Sequence, residues 1–262
     1  MKKIKNKINH KNSSGIQIYD CFCGIGPWQT RDKLLPYKPE DILQLMNHFG
    51  ITKALIHSNF AINNGNIETG NQHIIDAYKN NRDRFAPAFV IKPNPYNPKA
   101  IEEYILKMQK YSVKALWLGI KPQLLWIWAY KDILIECCKR KIPIFINRED
   151  THPEHIYKLC KSFPKARIVL VGISYQEDWW LYPLLKEFKQ VRVSTGHFYI
   201  PTYNPMTFIK HFSANRLLFG SGLPFFSPGG MISHITYANI AEKDKQLILY
   251  KNLEQLLEEA EI

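Results

Sequence analysis

Two cysteines separated by one residue stand in the segment DCFCGIGPW, residues 20–28. Thiolates are strong ligands for zinc and also carry redox chemistry, so Cys21 and Cys23 raise both possibilities. Residues i and i+2 of a strand point to the same face, so both thiols would share one surface if this segment is a strand. Whether the two thiols form a metal or redox site or only pack in the core depends on the elements around them.

The richest polar run is INRED, in which four polar residues, 147–150, follow an apolar segment. Arg148 offers paired donors that suit a carboxylate or phosphate, and Glu149 can act as an acid or a base. Asn147 precedes them and adds an amide. The alternative is a structural role, in which this run is an exposed loop that caps the following helix. We favour this alternative.

Other polar candidates stand where apolar runs end. His57 and His197 each end one run, and an imidazole can titrate near neutral pH, although a structural histidine is the commoner case. Ser221 lies between two glycines without a Gly-x-Ser-x-Gly elbow, which argues against a serine hydrolase. Lys92 precedes a proline and can attract an anion, while Trp28 follows the first run as an aromatic candidate for ligand contact.

These candidates are positioned by a regular alternation of elements. Eight short apolar or β-branched runs read as strands, at 15–22, 52–58, 85–92, 113–119, 143–148, 166–174, 191–197 and 216–224. Helical patterns with apolar residues three and four apart lie between them. Eight such units in about 250 residues predict an α/β fold, a single (β/α)8 TIM barrel. A doubly wound sheet is the alternative, weakened because no GxGxxG or Walker A loop follows the first strand.

Composition narrows the class of protein. The net charge is +12, but five lysines lie in residues 2–11 and no nucleic-acid-binding signature is present, so nucleic acid is not an expected partner. No run approaches the ~18 apolar residues of a membrane span. The five cysteines are an odd number, which argues against a disulfide framework and fits a cytoplasmic protein. We expect a basic tail at 1–14 and one barrel domain at 15–262.

Six segments in order carry a family resemblance that runs from about residue 16 to 258. They are IQIYDCFCGIGPW, FGITKALIHS, NNRDRFAPAFVIKPNP, FPKARIVLVGIS, NRLLFGSGLPF and IAEKDKQLILYKNLEQLL. Together they resemble the amidohydrolase-2 group of metal-dependent hydrolases, which are TIM barrels. The resemblance implies a site at the carboxyl ends of the strands.

The metal ligands that the resemblance implies are not present in this chain. The family's His-x-His pair on the first strand falls on Phe22 and Gly24, and its later histidines fall on Asn147 and Gly172. The aspartate expected on the eighth strand falls on Gly222. A phenylalanine and three glycines supply no side-chain donor, and a neutral amide is a poor zinc ligand. These replacements argue against a metal-activated water mechanism.

The same alignment answers the question about the cysteines. If Phe22 and Gly24 face the barrel interior, Cys21 and Cys23 face the surrounding helices and pack there. A one-residue change of register would exchange the two faces and reverse this interpretation.

Two classes of function follow for a barrel with degenerate metal positions and no cofactor. The first is a pseudoenzyme that binds a small molecule or a protein partner, and it is the one we favour. The second is a metal-free hydrolase or lyase that acts on a small carboxylate, lactone or amide. The candidate catalytic residues are Glu149, His197 and His57. The candidate ligand-binding residues are Trp28, Asn147, Arg148, Lys92 and Ser221. Self-association is left open.

Overall fold

The computed structural model describes residues 15–28, 35–64, 66–94, 96–97, 99–118, 125–196 and 205–262. The expected basic tail and His197 lie outside these residues. Eight parallel strands, β1 to β8, are hydrogen-bonded in sequence order. They span Tyr19–Ile25, Lys53–Ser58, Phe85–Ile91, Ala115–Leu118, Ile144–Asn147, Ile168–Val171, Arg192–Ser194 and Leu217–Leu218. The predicted TIM barrel and the order of its strands are confirmed.

Helices α1 to α11 connect and follow these strands. They span Pro39–Phe49, Asn59–Asn64, Ile67–Asn80, Ala100–Tyr111, Lys131–Lys139, Pro153–Ser162, Asp178–Glu187, Pro205–Phe212, Gly229–Thr236, Glu242–Gln246 and Asn252–Glu258. The first one illustrates the local rules. Pro39 fits the start of α1 because its missing N–H needs no partner there. The helix ends at Gly50, whose φ of 71° is the left-handed conformation that glycine adopts at little cost.

The strands separate two layers of apolar side chains. One layer lies between strands and helices and includes Ile56, Leu116 and Leu170 together with helix residues such as Met46. The other lies inside the barrel, where alternate strand residues such as Trp117 meet. The two layers follow from the period-two alternation of a strand that is buried on both faces.

A β-bulge in β1 changes the orientation predicted for one cysteine. Asp20 pairs with Ala54 and Cys23 pairs with Ile56, so three residues of β1 advance over two of β2. Cys23 packs in the layer between strands and helices, as expected. Cys21 instead packs inside the barrel, so the prediction that it faces the helices is wrong. The bulge breaks the strict alternation on which that prediction relied.

Backbone hydrogen bonds between the β8 region and β1 close the barrel. The N–H of Cys21 donates to Phe219 O at 2.9 Å, and the N–H of Gly24 donates to Leu223 O at 2.8 Å. In the opposite direction, the N–H of Gly222 donates to Phe22 O at 2.9 Å. Both strands therefore lose their exposed edges at this seam.

Helix α11, near the end of the chain, covers the end of the barrel at which the strands begin. Leu253, Leu256 and Leu257 of α11 pack into the interior cluster, near the first residues of β1. Among the described residues, no helix is both long enough and apolar enough to cross a bilayer.

Candidate functional site: the barrel mouth

Aromatic rings fill the barrel interior near its mouth, the end at which the carboxyl ends of the strands lie. Phe22 of β1, His57 of β2, Trp117 of β4 and Phe145 of β5 stack in succession. The ring centroids of His57 and Trp117 are 3.8 Å apart, and those of Phe22 and Trp117 are 5.5 Å apart. Trp117 and Phe145 lie 5.9 Å apart and nearly parallel. We call these four rings the aromatic column. They occupy the space into which a barrel site would open.

His57 is the one ionisable group in the aromatic column. Its side chain is buried, and burial alone lowers its pKa from 6.5 to about 3. The imidazole is therefore neutral at physiological pH. Its Nδ1 atom is buried and has no hydrogen-bond partner among the described residues. The indole Nε1 of Trp117, stacked on it, is likewise unpaired there.

An asparagine amide occupies the space beside Gly24. Asn59 starts α2, is 1% exposed and donates from Nδ2 to Gly26 O at 3.3 Å. A Cβ atom added to Gly24 would lie 2.2 Å from Asn59 Oδ1, which no real side chain tolerates. A side chain at position 24 would therefore force the Asn59 amide to move. Sequence analysis did not select Asn59, although the polar pair SN directly after the apolar run of β2 is a usable signal.

A second glycine and asparagine are arranged in the same way at β5 and β6. A Cβ atom on Gly172 would lie 2.2 Å from Asn147 Oδ1, and Gly172 also has a positive φ of 68°. The amide of Asn147 is engaged locally, since Oδ1 accepts from the N–H of Glu149 and Nδ2 donates to Asp150 Oδ2 at 3.2 Å. Asn147 therefore serves as the cap of a short turn that follows β5.

The charged residues of that turn do not converge on His57. Arg148 Nε lies 2.7 Å from Glu177 Oε1, and its guanidinium lies 5.7 Å from the ring of Trp180. Both partners belong to the segment after β6, so Arg148 links the segment after β5 to the segment after β6. Glu149 is exposed. Arg148 is half-buried and Asp150 is buried, so the INRED run is exposed only in part, and His152 caps the helix that follows it.

Ser221 lies where the β8 region meets β1 and is hydrogen-bonded to the buried carboxyl group of Asp20. Its N–H donates to Asp20 Oδ1 at 2.8 Å, and its hydroxyl donates to Asp20 Oδ2. The N–H of Phe22 donates to the same Oδ1 at 2.9 Å. Burial raises the pKa of Asp20 from 3.8 to about 6, against these hydrogen bonds, which lower it. Gly222 follows with a φ of 74°, a conformation that favours glycine.

Two further candidates lie at the edge of the mouth or outside it. Trp28 is half-buried and packs edge-to-face on Phe225, with ring centroids 5.1 Å apart, so the segments after β1 and β8 meet there. Lys92 is half-buried after β3 and lines a groove outside the barrel, beside α3 and α4.

The family model described as Amidohydrolase matches residues 35–258. The chain belongs to the amidohydrolase family. The comparison with curated proteins gives no match. Within the amidohydrolase fold, this member is similar to an uncharacterised TIM-barrel protein from Bordetella bronchiseptica. The identity is 15%, the coverage is 93% of this chain and 99% of that chain, and the TM-score is 0.71.

Decarboxylases are also among the similar structures of this amidohydrolase family member. For 2,6-dihydroxybenzoate decarboxylase from Rhizobium the identity is 16%, with 93% and 99% coverage and a TM-score of 0.68. For 5-carboxyvanillate decarboxylase from Sphingomonas paucimobilis the identity is 12%, with 93% and 99% coverage and a TM-score of 0.69. At these identities the likeness establishes the shared barrel fold.

The family resemblance places metal ligands at five positions of this chain. They are Phe22, Gly24, Asn147, Gly172 and Gly222. Phe22 lies in the aromatic column, and two of the glycines are covered by asparagine amides. Within the described ranges, no group of three or more histidine, cysteine, aspartate or glutamate side chains is placed to hold a metal ion. The side-chain donors beside these positions are the amides of Asn59 and Asn147 and the imidazole of His57. The carboxyl groups of Asp20 and Asp150 also lie there, and both are already hydrogen-bonded.

Proposed function

We propose that this amidohydrolase family member is a pseudoenzyme whose mouth binds a small molecule or a protein partner without metal-dependent chemistry. The single observation that carries the proposal is the aromatic column. Phe22, His57 and Trp117 fill the interior at the level where the family resemblance places the metal. A ligand would then meet the outer surface of this column at Phe22, which is half-buried.

The donor set supports the same proposal. Zinc and related metals are held by imidazole, thiolate or carboxylate ligands, and a catalytic site converges about three of them on one point. Asn59 and Asn147 supply only amide oxygens, and the Asn147 oxygen already accepts a backbone hydrogen bond. Burial raises the pKa of the Cys21 thiol, so it is held in the protonated form that binds metal poorly. These residues do not fit a metal centre of the family type.

A second candidate is a metal-free hydrolase or lyase acting on a small carboxylate, lactone or amide. Two of the similar structures are decarboxylases of aromatic carboxylates, which favours an aromatic carboxylate among these substrates. The buried Nδ1 atom of His57, unpaired among the described residues, supports it too, since a neutral imidazole nitrogen can form a hydrogen bond to a ligand. Glu149, His57 and His197 would be its catalytic residues, with Asn147, Arg148, Lys92, Ser221 and Trp28 around the ligand.

Metal analysis of the purified protein tests the first proposal. We expect far less than one transition-metal ion per chain after dialysis. We also expect no increase in Tm when Zn²⁺ or Mn²⁺ is added, because a metal that binds only the folded state would raise it. One tightly held ion per chain, with a metal-dependent rise in Tm, would overturn the proposal.

An activity panel separates the two candidates. Hydroxybenzoates, small carboxylate esters, lactones and amides are offered to the wild-type protein, Glu149→Gln and His57→Gln. Glu258→Gln is a matched control, because Glu258 is exposed at the opposite end of the barrel. The pseudoenzyme proposal predicts no turnover above buffer. Turnover that Glu149→Gln or His57→Gln abolishes and Glu258→Gln preserves would establish the second candidate instead.

A further inference from the structure

A polar groove lies outside the barrel, between α3, α4 and α5. It consists of two adjoining chambers with volumes of about 630 and 530 Å³. The chambers share six lining residues: Lys92, Pro93, Asn94, Asn97, Ala100 and Tyr104. Each chamber is within the range of roughly 300–1,000 Å³ that is typical of small-molecule sites. We call it the α4 groove.

Asparagine amides in the α4 groove present hydrogen-bond donors. Asn66 Oδ1 accepts from the N–H of Thr69 at 3.1 Å, and Asn94 Oδ1 accepts from the N–H of Tyr96 at 3.1 Å. The described hydrogen bonds use neither Nδ2 group. Their oxygens are held by the backbone, so the orientation of each amide is fixed and its NH₂ group remains to donate.

Acceptors stand beside these donors. Asn97 Nδ2 donates to Glu103 Oε2 at 3.0 Å, which holds that carboxylate at the wall of the first chamber. Asp132 lines the second chamber. Tyr104 lines both, and burial first, then the charge of Glu68, raises the pKa of its hydroxyl, which keeps it protonated. The α4 groove thus alternates fixed donors and acceptors.

The charges of the α4 groove cancel within each chamber. The first is lined by two lysines and two glutamates, of which Lys107 and Glu68 form an ion pair at 3.7 Å. The second is lined by Lys92 and Asp132. A charged ligand would meet groups of its own sign as closely as groups of the opposite sign. The electrostatics therefore favour a neutral ligand.

An aromatic wall completes the second chamber. Trp128 lines it and yet is 76% exposed, so the indole ring is not held in the core. Tyr104 supplies a second ring. Exposed tryptophan faces bind apolar C–H surfaces, and their amphipathic character suits a ligand that is polar at its edges.

We propose that the α4 groove binds a neutral carbohydrate of one or two sugar units. Vicinal hydroxyl groups both donate and accept, which matches the neighbouring amides and carboxylates. The C–H face of a pyranose ring suits stacking on Trp128. The proposal does not rest on the function proposed for the mouth, because the α4 groove lies outside the barrel interior.

Saturation-transfer NMR with methyl glucosides, methyl galactosides, maltose and cellobiose tests the proposal. We expect saturable binding of at least one sugar, in the millimolar range that is common for small polar ligands. Trp128→Ala should weaken this binding at least about tenfold, as removal of a stacking anchor does. Asn94→Ala, which removes one donor, should weaken it less.

Trp179→Ala is the matched control, because Trp179 is 78% exposed on α7 and lines neither chamber. It should bind the sugar like the wild-type protein. An unchanged thermal melt of Trp128→Ala establishes that the variant is folded. Three outcomes would each overturn the proposal: no saturable binding across the panel, binding that Trp128→Ala leaves unchanged, or Trp128-dependent binding of inorganic phosphate or benzoate in place of sugar.

Discussion

The imidazole of His57 lies flat against the indole of Trp117, with 3.8 Å between ring centroids and 20° between ring planes. The two residues come from β2 and β4, and the strand between them contributes small side chains such as Ala88 to the interior. The contact therefore passes over β3 on the inner face of the barrel. It makes the stability of the fold and the composition of the mouth depend on the same pair of side chains.

Trp117→Ala should destabilise the protein by about 3–5 kcal/mol, as truncation of a large buried aromatic does. Trp117→Phe should cost less, because a ring remains in the aromatic column. Urea denaturation followed by circular dichroism measures the free energy of unfolding. Trp179→Ala is the control, and as an exposed substitution it should stay within about 0.5 kcal/mol of wild type. Equal losses in the two alanine variants would contradict the aromatic column as a stabilising unit.

His57 should make the fold sensitive to acid. Its pKa is lowered from 6.5 to about 3 in the folded protein, so the unfolded chain binds a proton more readily. The stability this residue contributes is complete above pH 6.5 and is lost as the pH falls toward 3, by at most about 1.4 kcal/mol per pH unit.

His57→Phe, which keeps a ring in the aromatic column, should flatten the dependence of unfolding free energy on pH between 6.5 and 3. An unaltered acid limb in that variant would show that other groups cause the loss.

Asp20 should act in the opposite direction. Its pKa is raised from 3.8 to about 6, so the folded protein holds this proton more tightly than the unfolded chain does. The stability gained from that proton is complete below pH 3.8 and is lost as the pH rises through 6. Asp20→Asn keeps an oxygen for the N–H groups of Phe22 and Ser221.

The difference in unfolding free energy between Asp20→Asn and wild type should therefore grow in favour of the variant as the pH rises from 4 to 6.5. Denaturant titrations at half-unit pH steps provide the measurement. A difference that stays constant over this window would contradict the raised pKa.

Gly24 and Asn59 should be strongly coupled. Gly24→Ala alone should cost about 1–3 kcal/mol, because its methyl group would overlap the Asn59 amide. In the Asn59→Ala background the same change should cost much less, since all three close atoms are gone. A double-mutant cycle on the free energy of unfolding measures this coupling.

The second glycine and asparagine pair provides the contrast. Gly172→Ala should remain costly in the Asn147→Ala background, because its positive φ is unfavourable for alanine whatever space is available. Additive costs at Gly24 and Asn59 would contradict the close packing of that pair.

Local patterns were enough to predict the barrel. Runs such as TKALIHS and segments such as PEDILQLMNHFG carry their period and their caps in a few residues, and the structure has a strand or a helix at each. The orientation of Cys21 was not predictable in this way, because a bulge adds one residue without a sequence signal that distinguishes it from regular alternation.

The candidate site was harder to predict because it depends on contacts between residues that are distant in sequence. Arg148 has the chemistry of an anion-binding residue, but its ion pair with Glu177 depends on a contact across two loops. The amide of Asn59 matters because it fills the space at Gly24, and the two residues are distant in sequence. Residue types indicate which chemistry is available, whereas long-range packing decides which groups meet.

The position of α11 has a consequence for the order of folding. Its leucines seal the end of the barrel opposite the mouth, and α11 follows β8 in the chain. During synthesis, all eight strands therefore leave the ribosome before the segment that excludes water from their interior faces. Until α11 docks, the nascent barrel exposes an apolar surface of the kind that chaperones recognise.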